Sequence, residues 1–324
     1  MLNQSETRNK INQLATCSTP FLFIIDFEMN NNDVLTMPEL QNSNICFSVE
    51  NYYYPKRIIT KADNIVLSKK PIQFNDYKFA FDKVQSEISK GNSYLVNLTF
   101  PTEININLTL KQIFELSQAR FKLYYKDQFV VFSPEIFVEI TGNKISSFPM
   151  KGTIDASIKN AEELIMSDEK EKAEHITIVD LIRNDLSIVS NDVRVAKFRY
   201  SELIKTNQKS IIQISSKITG DLPVNFKEHL GDIIFNLLPA GSISGAPKKK
   251  TLEIIHSAEN SPRGFYTGVF GYFDGKNLTS AVMIRFIEKI NNILLYKSGG
   301  GITYLSDAKS EYQELIDKVY VPIY

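Results

Sequence analysis

The 324 residues include only two cysteines, Cys17 and Cys46. Two cannot build a disulfide framework, so a reduced, cytoplasmic setting is the default expectation. Neither sits in a context that would activate a thiol, and both are read as small apolar residues. Net charge is missing too, because 37 Lys and Arg balance 37 Asp and Glu. Without an excess of one sign, neither nucleic acid nor a membrane is expected as a partner, although a local basic site remains open. The longest apolar runs, such as residues 21–25, have the length of a strand and fall far short of a bilayer span. The opening segment MLNQSETRNKINQLA lacks the charged-then-apolar layout of a signal peptide. Pro/Gly/Ser-rich linkers, charge blocks and internal repeats are absent, so nothing marks a domain boundary. The expectation is one domain over residues 1–324, with 1–74 a short N-terminal strand region and 75–324 carrying the chemistry.

What is present is an ordinary globular composition, 43% hydrophobic and 23% charged, enough for a large core. β-Branched and aromatic residues mark strands at 21–28 and 45–53, with a turn-like break at 30–33. Tyr77, Phe81, Val84 and Ile88 share one face of a helix over 76–90, which Gly91 stops. A strand at 93–100 and a short helix at 109–118 lead into a meander of strands at 121–126, 129–132, 136–141 and 144–149. Residues 157–184 read as mostly helical, with apolar residues on two sides of the second half, as in a helix buried over much of its circumference. Further strands are expected at 192–198, 210–219, 265–274, 278–288 and 292–298. Further helices are expected at 201–208, 225–237, 240–257 and 307–320. Hairpin-linked strands with interspersed helices predict an α+β fold, mainly antiparallel sheets covered by helices.

Four segments carry candidate chemistry. In SFPMKGT (147–153), Lys151 ends a predicted strand, where partial burial would lower its proton affinity and make the amine a nucleophile or base. In EKEKAEHITIVDLIRND (169–185), Glu171 and Glu174 fall on one helix face, where paired carboxylates call for a cation such as Mg²⁺. Arg183 and Asp185 read there as an ordinary helix-end pair. In GGGITYLSDAKSEYQELIDK (299–318), three glycines allow close backbone approach to a ligand, and Glu311, Glu314 and Lys318 line one helix face. PAGSISGAPKKK (239–250) leads into a helix start, which favours anions, although the phosphate-loop spacing fails. Arg285, on the strand SAVMIRF, can fork onto a carboxylate. Taken singly, the segments read better as a surface turn, a solvated charged face or a strand-edge salt bridge.

Taken together and in order, the segments resemble the chorismate-binding family, which includes anthranilate, aminodeoxychorismate, isochorismate and salicylate synthases. The matching stretches are SPE (133–135), PMKGT (149–153), EKAEHITIVDLIRNDL (171–186), GSISGAPK (241–248), RGFYTGVFGY (263–272), MIRF (283–286) and GGGI through SEYQELIDK (299–318). The resemblance implies a single large domain of antiparallel sheets sandwiched together with helices outside. It implies Mg²⁺ held by Glu174 and Glu314, with Glu171 and Glu311 nearby through water. It makes Glu135 the acid/base carboxylate, places Thr153 with the catalytic residues, and assigns Tyr266, Arg285, Lys318, Gln213 and the amides of Gly300, Gly301 and Ile302 to the chorismate pocket.

Within the family, the strand SYLVNL lacks the base lysine of the isochorismate and salicylate enzymes, which argues against water as the nucleophile. Lys151 stands where anthranilate synthases carry alanine, and the resemblance to aminodeoxychorismate synthases implies that it attacks C2 of chorismate and expels the 4-hydroxyl before ammonia enters at C4. The activity implied is that of aminodeoxychorismate synthase component I, serving p-aminobenzoate and folate synthesis. The alternatives are an anthranilate synthase component I or a silent chorismate-binding paralogue. Gln213 replaces a histidine common in the family, Leu95 a glutamine and Met150 an isoleucine. The L-L-E-S-type segment associated with tryptophan feedback is missing, so inhibition by tryptophan is not expected. The chain offers no Cys-His-Glu glutaminase, which implies a separate glutamine amidotransferase subunit as the ammonia source.

Overall fold

The computed structural model describes residues 1–55, 64–205, 210–259 and 261–323. They form a single α+β domain built on two antiparallel sheets of nine strands each. The first sheet runs in the order Met150–Asp155, Ser210–Asp221, Lys144–Ser147, Ile136–Thr141, Leu278–Val282, Val269–Phe273, Phe21–Ile25, Asn32–Thr36, with Asn191–Lys205 also paired to Ser210–Asp221. The second runs Gly245–Ala246, Leu95–Ile106, Ile293–Ile302, Phe286–Ile290, Phe129–Ser133, Phe121–Tyr125, Ile45–Val49, Tyr52–Tyr54, with Leu67–Lys70 also paired to Leu95–Ile106.

The continuous apolar runs follow from this layering. In Phe21–Ile25 every residue is buried. Successive side chains of a strand point to opposite faces. Leu22 and Ile24 therefore meet Phe47, Leu123, Val131 and Phe286 of the other sheet. Phe21, Phe23 and Ile25 face a helical layer that includes Ile11, Ile182 and Ile234. The second sheet repeats the scheme: Phe129 and Val131 point into the sandwich, while Val130 and Phe132 face Ile113 and Phe114 of the outer helix Leu110–Leu116.

Several expectations need correction. The N-terminal region is not only strands, because it opens with the helix Gln4–Thr16, capped reciprocally by Asn3 and Glu6. Its buried face of Thr7, Ile11 and Ala15 has the right spacing but little apolar content. The expected turn at 30–33 runs into the strand Asn32–Thr36. The helical stretch 157–184 divides into Ala161–Ser167 and Glu169–Ser187, because Asp168 caps the second helix by accepting from the Glu171 amide at 2.9 Å. Ile176, on the side expected to be buried, is exposed. Where a helix was expected at 201–208, residues 201–205 continue the strand Asn191–Lys205, whose ladder to Ser210–Asp221 outweighs local helix propensity, and 206–209 lie outside the described residues.

The most consequential correction concerns 278–288, expected as one strand. Leu278–Val282 belongs to the first sheet and Phe286–Ile290 to the second. The chain crosses between layers at 283–285, where Arg285 has a φ of 53°. A second crossing, at 134–135, links Phe129–Ser133 to Ile136–Thr141. The crossings are bonded to each other's strands: the Phe132 amide donates to the Arg285 carbonyl, and the Val282 amide to the Glu135 carbonyl, both at 3.1 Å. Residues at such crossings leave the ladder, and these two face a cleft.

Candidate active site

The cleft has a main lobe of about 990 Å³ and a second, more apolar lobe of about 610 Å³. Both lobes are lined by Glu135, Lys151 and Ser242, so these residues lie where the two spaces meet.

Lys151 lies inside the strand Met150–Asp155 rather than in a terminal turn. The register to Ser210–Asp221 slips between Met150 and Thr153, and Gly152 between them has a φ of 90°. Such an irregularity re-aims side chains, and here it turns Lys151 into the cleft. A Cβ on Gly152 would stand 3.0 Å from Glu171 Oε2, so glycine also admits that carboxylate. The Lys151 ammonium pairs with Glu174 Oε2 at 2.8 Å. Enclosure alone would lower its proton affinity, as the sequence suggested. The bond to Glu174 and the charges of Glu174, Glu171 and Glu314 outweigh it, and the net shift is upward. The expected depression is therefore reversed by the glutamates predicted to hold the metal.

Opposite, the helix Ala308–Asp317 presents Glu311 and Glu314 to the glycine strand. A Cβ on Gly300 would lie 3.1 Å from Glu311 Oε2 and 3.9 Å from Glu314 Oε1, so the glycine strand runs close beneath both carboxylates. Burial raises Glu311 despite a bond from the Ser306 hydroxyl at 2.7 Å. Burial also opposes ionisation of Glu314, but Lys318 at 2.6 Å, with Lys151 and Arg285, holds it below the usual range. Among the described residues no three acidic, His or Cys side chains already converge on one point as metal ligands. Glu174 is turned to Lys151 and Glu314 to Lys318. The donors nonetheless suit Mg²⁺: they are all carboxylate oxygens, and the charges of Glu171, Glu174 and Glu314 all act on one ammonium.

The anion-binding candidates gather on the far wall of the main lobe. Arg285 lies 5.2 Å over the Tyr320 ring, and its buried Nε has no hydrogen-bond partner. Tyr266 is buried beside it, and burial pushes its hydroxyl well above the usual phenol range. Lys318 donates to the Gly299 carbonyl at 2.8 Å. The Thr99 amide goes to Glu259 at 2.9 Å, so Thr99 and Gly299 form a non-hydrogen-bonded pair across the ladder. Gly299, and by alternation Gly301, turn their amides to the open edge. By the same alternation the amides of Gly300 and Ile302 bond into the ladder, and the Ile302 side chain is core. Of the three amides expected to bind substrate, only that of Gly301 is free to do so, and Gly299 joins it. Thr153 and Gln213 face each other across the ladder and both line the main lobe.

Glu135, at the 134–135 crossing, opens partly to the cleft, and enclosure by its walls pushes its carboxyl up. It accepts a hydrogen bond from the Ser242 hydroxyl, a contact the sequence did not announce. Ser242 lies in the single helical turn Gly241–Ser244 of GSISGAPK. Gly241 packs so closely on the helix Glu169–Ser187 that a Cβ would stand 2.7 Å from Asp185 Oδ2, and its amide bonds that carboxylate. Asp185 pairs with Lys248 at 3.0 Å, whereas Arg183, its expected partner, pairs with Asp180 at 2.9 Å. His175, fully buried, joins the same helix to Ser216 at 2.7 Å and so fixes the backbone beside Glu174. These residues sit in the motif stretches, but helical or turn spacing alone did not reveal their partners.

Residues 39–323 match the family model described as chorismate binding enzyme. An uncharacterized PabA-like protein of Pasteurella multocida is 50% identical over 315 residues, 96% of this chain and 97% of that protein. Aminodeoxychorismate synthase component 1 of Bacillus subtilis is 31% identical over 264 residues, 77% of this chain but 55% of the longer relative. Among solved structures, a putative 2,3-dihydroxybenzoate-specific isochorismate synthase from Bacillus anthracis superposes with a TM-score of 0.72 over 98% of this chain and 86% of that one. At 17% identity this likeness speaks to the fold alone.

Proposed function

The chain belongs to the chorismate-binding enzyme family, and we propose that it is an aminodeoxychorismate synthase component I, which converts chorismate and ammonia to 4-amino-4-deoxychorismate. The observation that carries this reading is the place of Lys151. Its amine stands where the two lobes meet, with Glu135 lining the same junction, and in this reading it separates a covalent route from direct amination.

In this reading Arg285, Lys318 and the outward amides of Gly299 and Gly301 receive the carboxylates of chorismate, a match of planar or point cations and free donors to a dianion. Lys151, once its proton has passed to a neighbouring carboxylate, attacks C2. Both ring double bonds shift, the C4–O bond breaks, and Glu135 gives its proton to the departing hydroxyl, which leaves as water. Ammonia then forms the new bond at C4, the double bonds shift back, and the C2–Nζ bond breaks to return the lysine. Glu174 and Glu314, with Glu171 and Glu311, would hold Mg²⁺, which supplies the positive charge that lets a dianion enter a nest of carboxylates.

The ammonia source is a separate glutaminase chain. Burial pushes the Cys46 thiol up, the opposite of an activated nucleophile. Cys17 is the C-cap of Gln4–Thr16 and lines neither lobe of the cleft. Purified protein with chorismate, Mg²⁺ and an ammonium salt tests the reading by mass spectrometry: the expected product becomes p-aminobenzoate when a lyase is added, whereas anthranilate or unchanged chorismate overturns it.

A further inference from the structure

A buried scaffold surrounds one small residue that carries no assigned role. Ser242 donates to Glu135 Oε1, and both neighbours in its turn are anchored. On one side Gly241 is pressed onto Asp185, which Lys248 holds at 3.0 Å while also donating to the Leu237 carbonyl at 2.9 Å. On the other side the Ile243 carbonyl accepts from Arg263 at 2.9 Å. Arg263 is itself locked to Glu259 at 2.7 Å and to the Asn97 carbonyl at 2.6 Å. Two ion pairs, one joining the helices Glu169–Ser187 and Lys248–Ala258 and one in the segment that follows the latter, thus flank Ser242, whose hydroxyl reaches the carboxyl at the cleft's junction.

We propose that Ser242 is a positioning residue for Glu135: its clamped hydroxyl occupies Oε1, so the transferable proton is carried on Oε2, directed at the reacting ring. The inference rests on the acid role given to Glu135. A hydroxyl donating to one oxygen of a carboxyl makes that oxygen the acceptor and leaves the other to hold the proton. Besides Ser242, the groups that act on this carboxyl are Arg285, from the 283–285 crossing, and Lys318, beyond the helix Ala308–Asp317. Both are cations and neither supplies a neutral, fixed donor. A misplaced acid loses about 10²-fold even when its chemistry is intact.

Ser242→Ala and Ser242→Thr separate positioning from bulk, because threonine keeps the hydroxyl. With chorismate, Mg²⁺ and ammonium, Ser242→Ala is expected to lower kcat about tenfold to a hundredfold with little change in the KM for chorismate. The limb of the pH profile assigned to Glu135 should move upward, since a bond that favours the ionised form is gone, and Ser242→Thr should restore most of both. The carboxyl C=O band of Glu135 in infrared spectra, identified by its loss in Glu135→Gln, should shift in the alanine variant and not in the threonine one. That band is read without turnover, so it tests the contact even if wild-type protein makes no aminated product, which would count against the proposed activity instead. An unchanged band in Ser242→Ala, or wild-type kcat and pH profile in that variant, overturns the inference.

Discussion

The Lys151 ammonium stands 2.8 Å from the Glu174 carboxylate, so the amine assigned to attack carbon is paired with a group assigned to hold the metal. Each function therefore bears on the other. An ammonium among Glu171, Glu174 and Glu314 offsets part of the like-charge repulsion there, and it competes for the same carboxylate oxygens that a cation would use.

Lys151→Ala should accordingly separate the two. Four-position amination is expected to fall by about 10²-fold or more, because the covalent route is closed. Direct attack of ammonia at C2 would then give the anthranilate-type intermediate. Mg²⁺ affinity, measured by calorimetry, should be retained or tightened, since a competing cation has gone. Weaker Mg²⁺ binding in this variant would contradict the competition.

Glu174→Gln and Glu314→Gln are expected to abolish turnover and weaken Mg²⁺ binding, measured in the same way. Both keep side-chain volume and remove one charge from the carboxylate nest. Full activity of both variants, or of wild-type protein in chelating buffer, would remove the metal assignment.

Ammonium should support turnover by the isolated chain and glutamine should not. The assay is product formation with each nitrogen source at matched concentration. Glutamine-dependent turnover by pure protein would contradict the two-subunit reading.

Arg263→Met should destabilise the fold by about 3–5 kcal/mol, because it leaves the Glu259 carboxylate buried without its cation. The pair is almost wholly enclosed, with side-chain exposures of 2% and 5%. Chemical denaturation followed by circular dichroism measures the loss, and a change under about 1 kcal/mol would mean that the site accommodates the lone carboxylate by protonation or water.

How far the sequence could be read follows from which interactions are local. Helices with an apolar stripe, such as Phe74–Ser89, and strands buried on both faces, such as Phe21–Ile25, carry their period in the residues themselves. The helix Gln4–Thr16 was missed because its buried face is closed by Thr7 and Ala15, although the capping pair Asn3 and Glu6 was there to be seen. The break at 283–285 was invisible, since SAVMIRFIEKI reads as one strand and only the partner sheets separate its halves. The glutamate pairs and Lys151 stood out by spacing and resemblance. That Glu174 binds Lys151, that Asp185 takes Lys248 instead of Arg183, and that Ser242 reaches Glu135 are contacts between distant segments. No local pattern encodes them.

The central claim is that Lys151 bonds to the substrate ring, and it is tested most directly by mixing the protein with chorismate and Mg²⁺ in the absence of ammonia, then quenching and mapping peptides by mass spectrometry. With ammonia withheld, the first step has no second nucleophile to complete it. The expected result is a chorismate-derived adduct, less the elements of water, on the peptide containing Lys151, which disappears when ammonium is added before the quench. No adduct in wild-type protein, together with undiminished 4-amination by Lys151→Ala, would contradict the account.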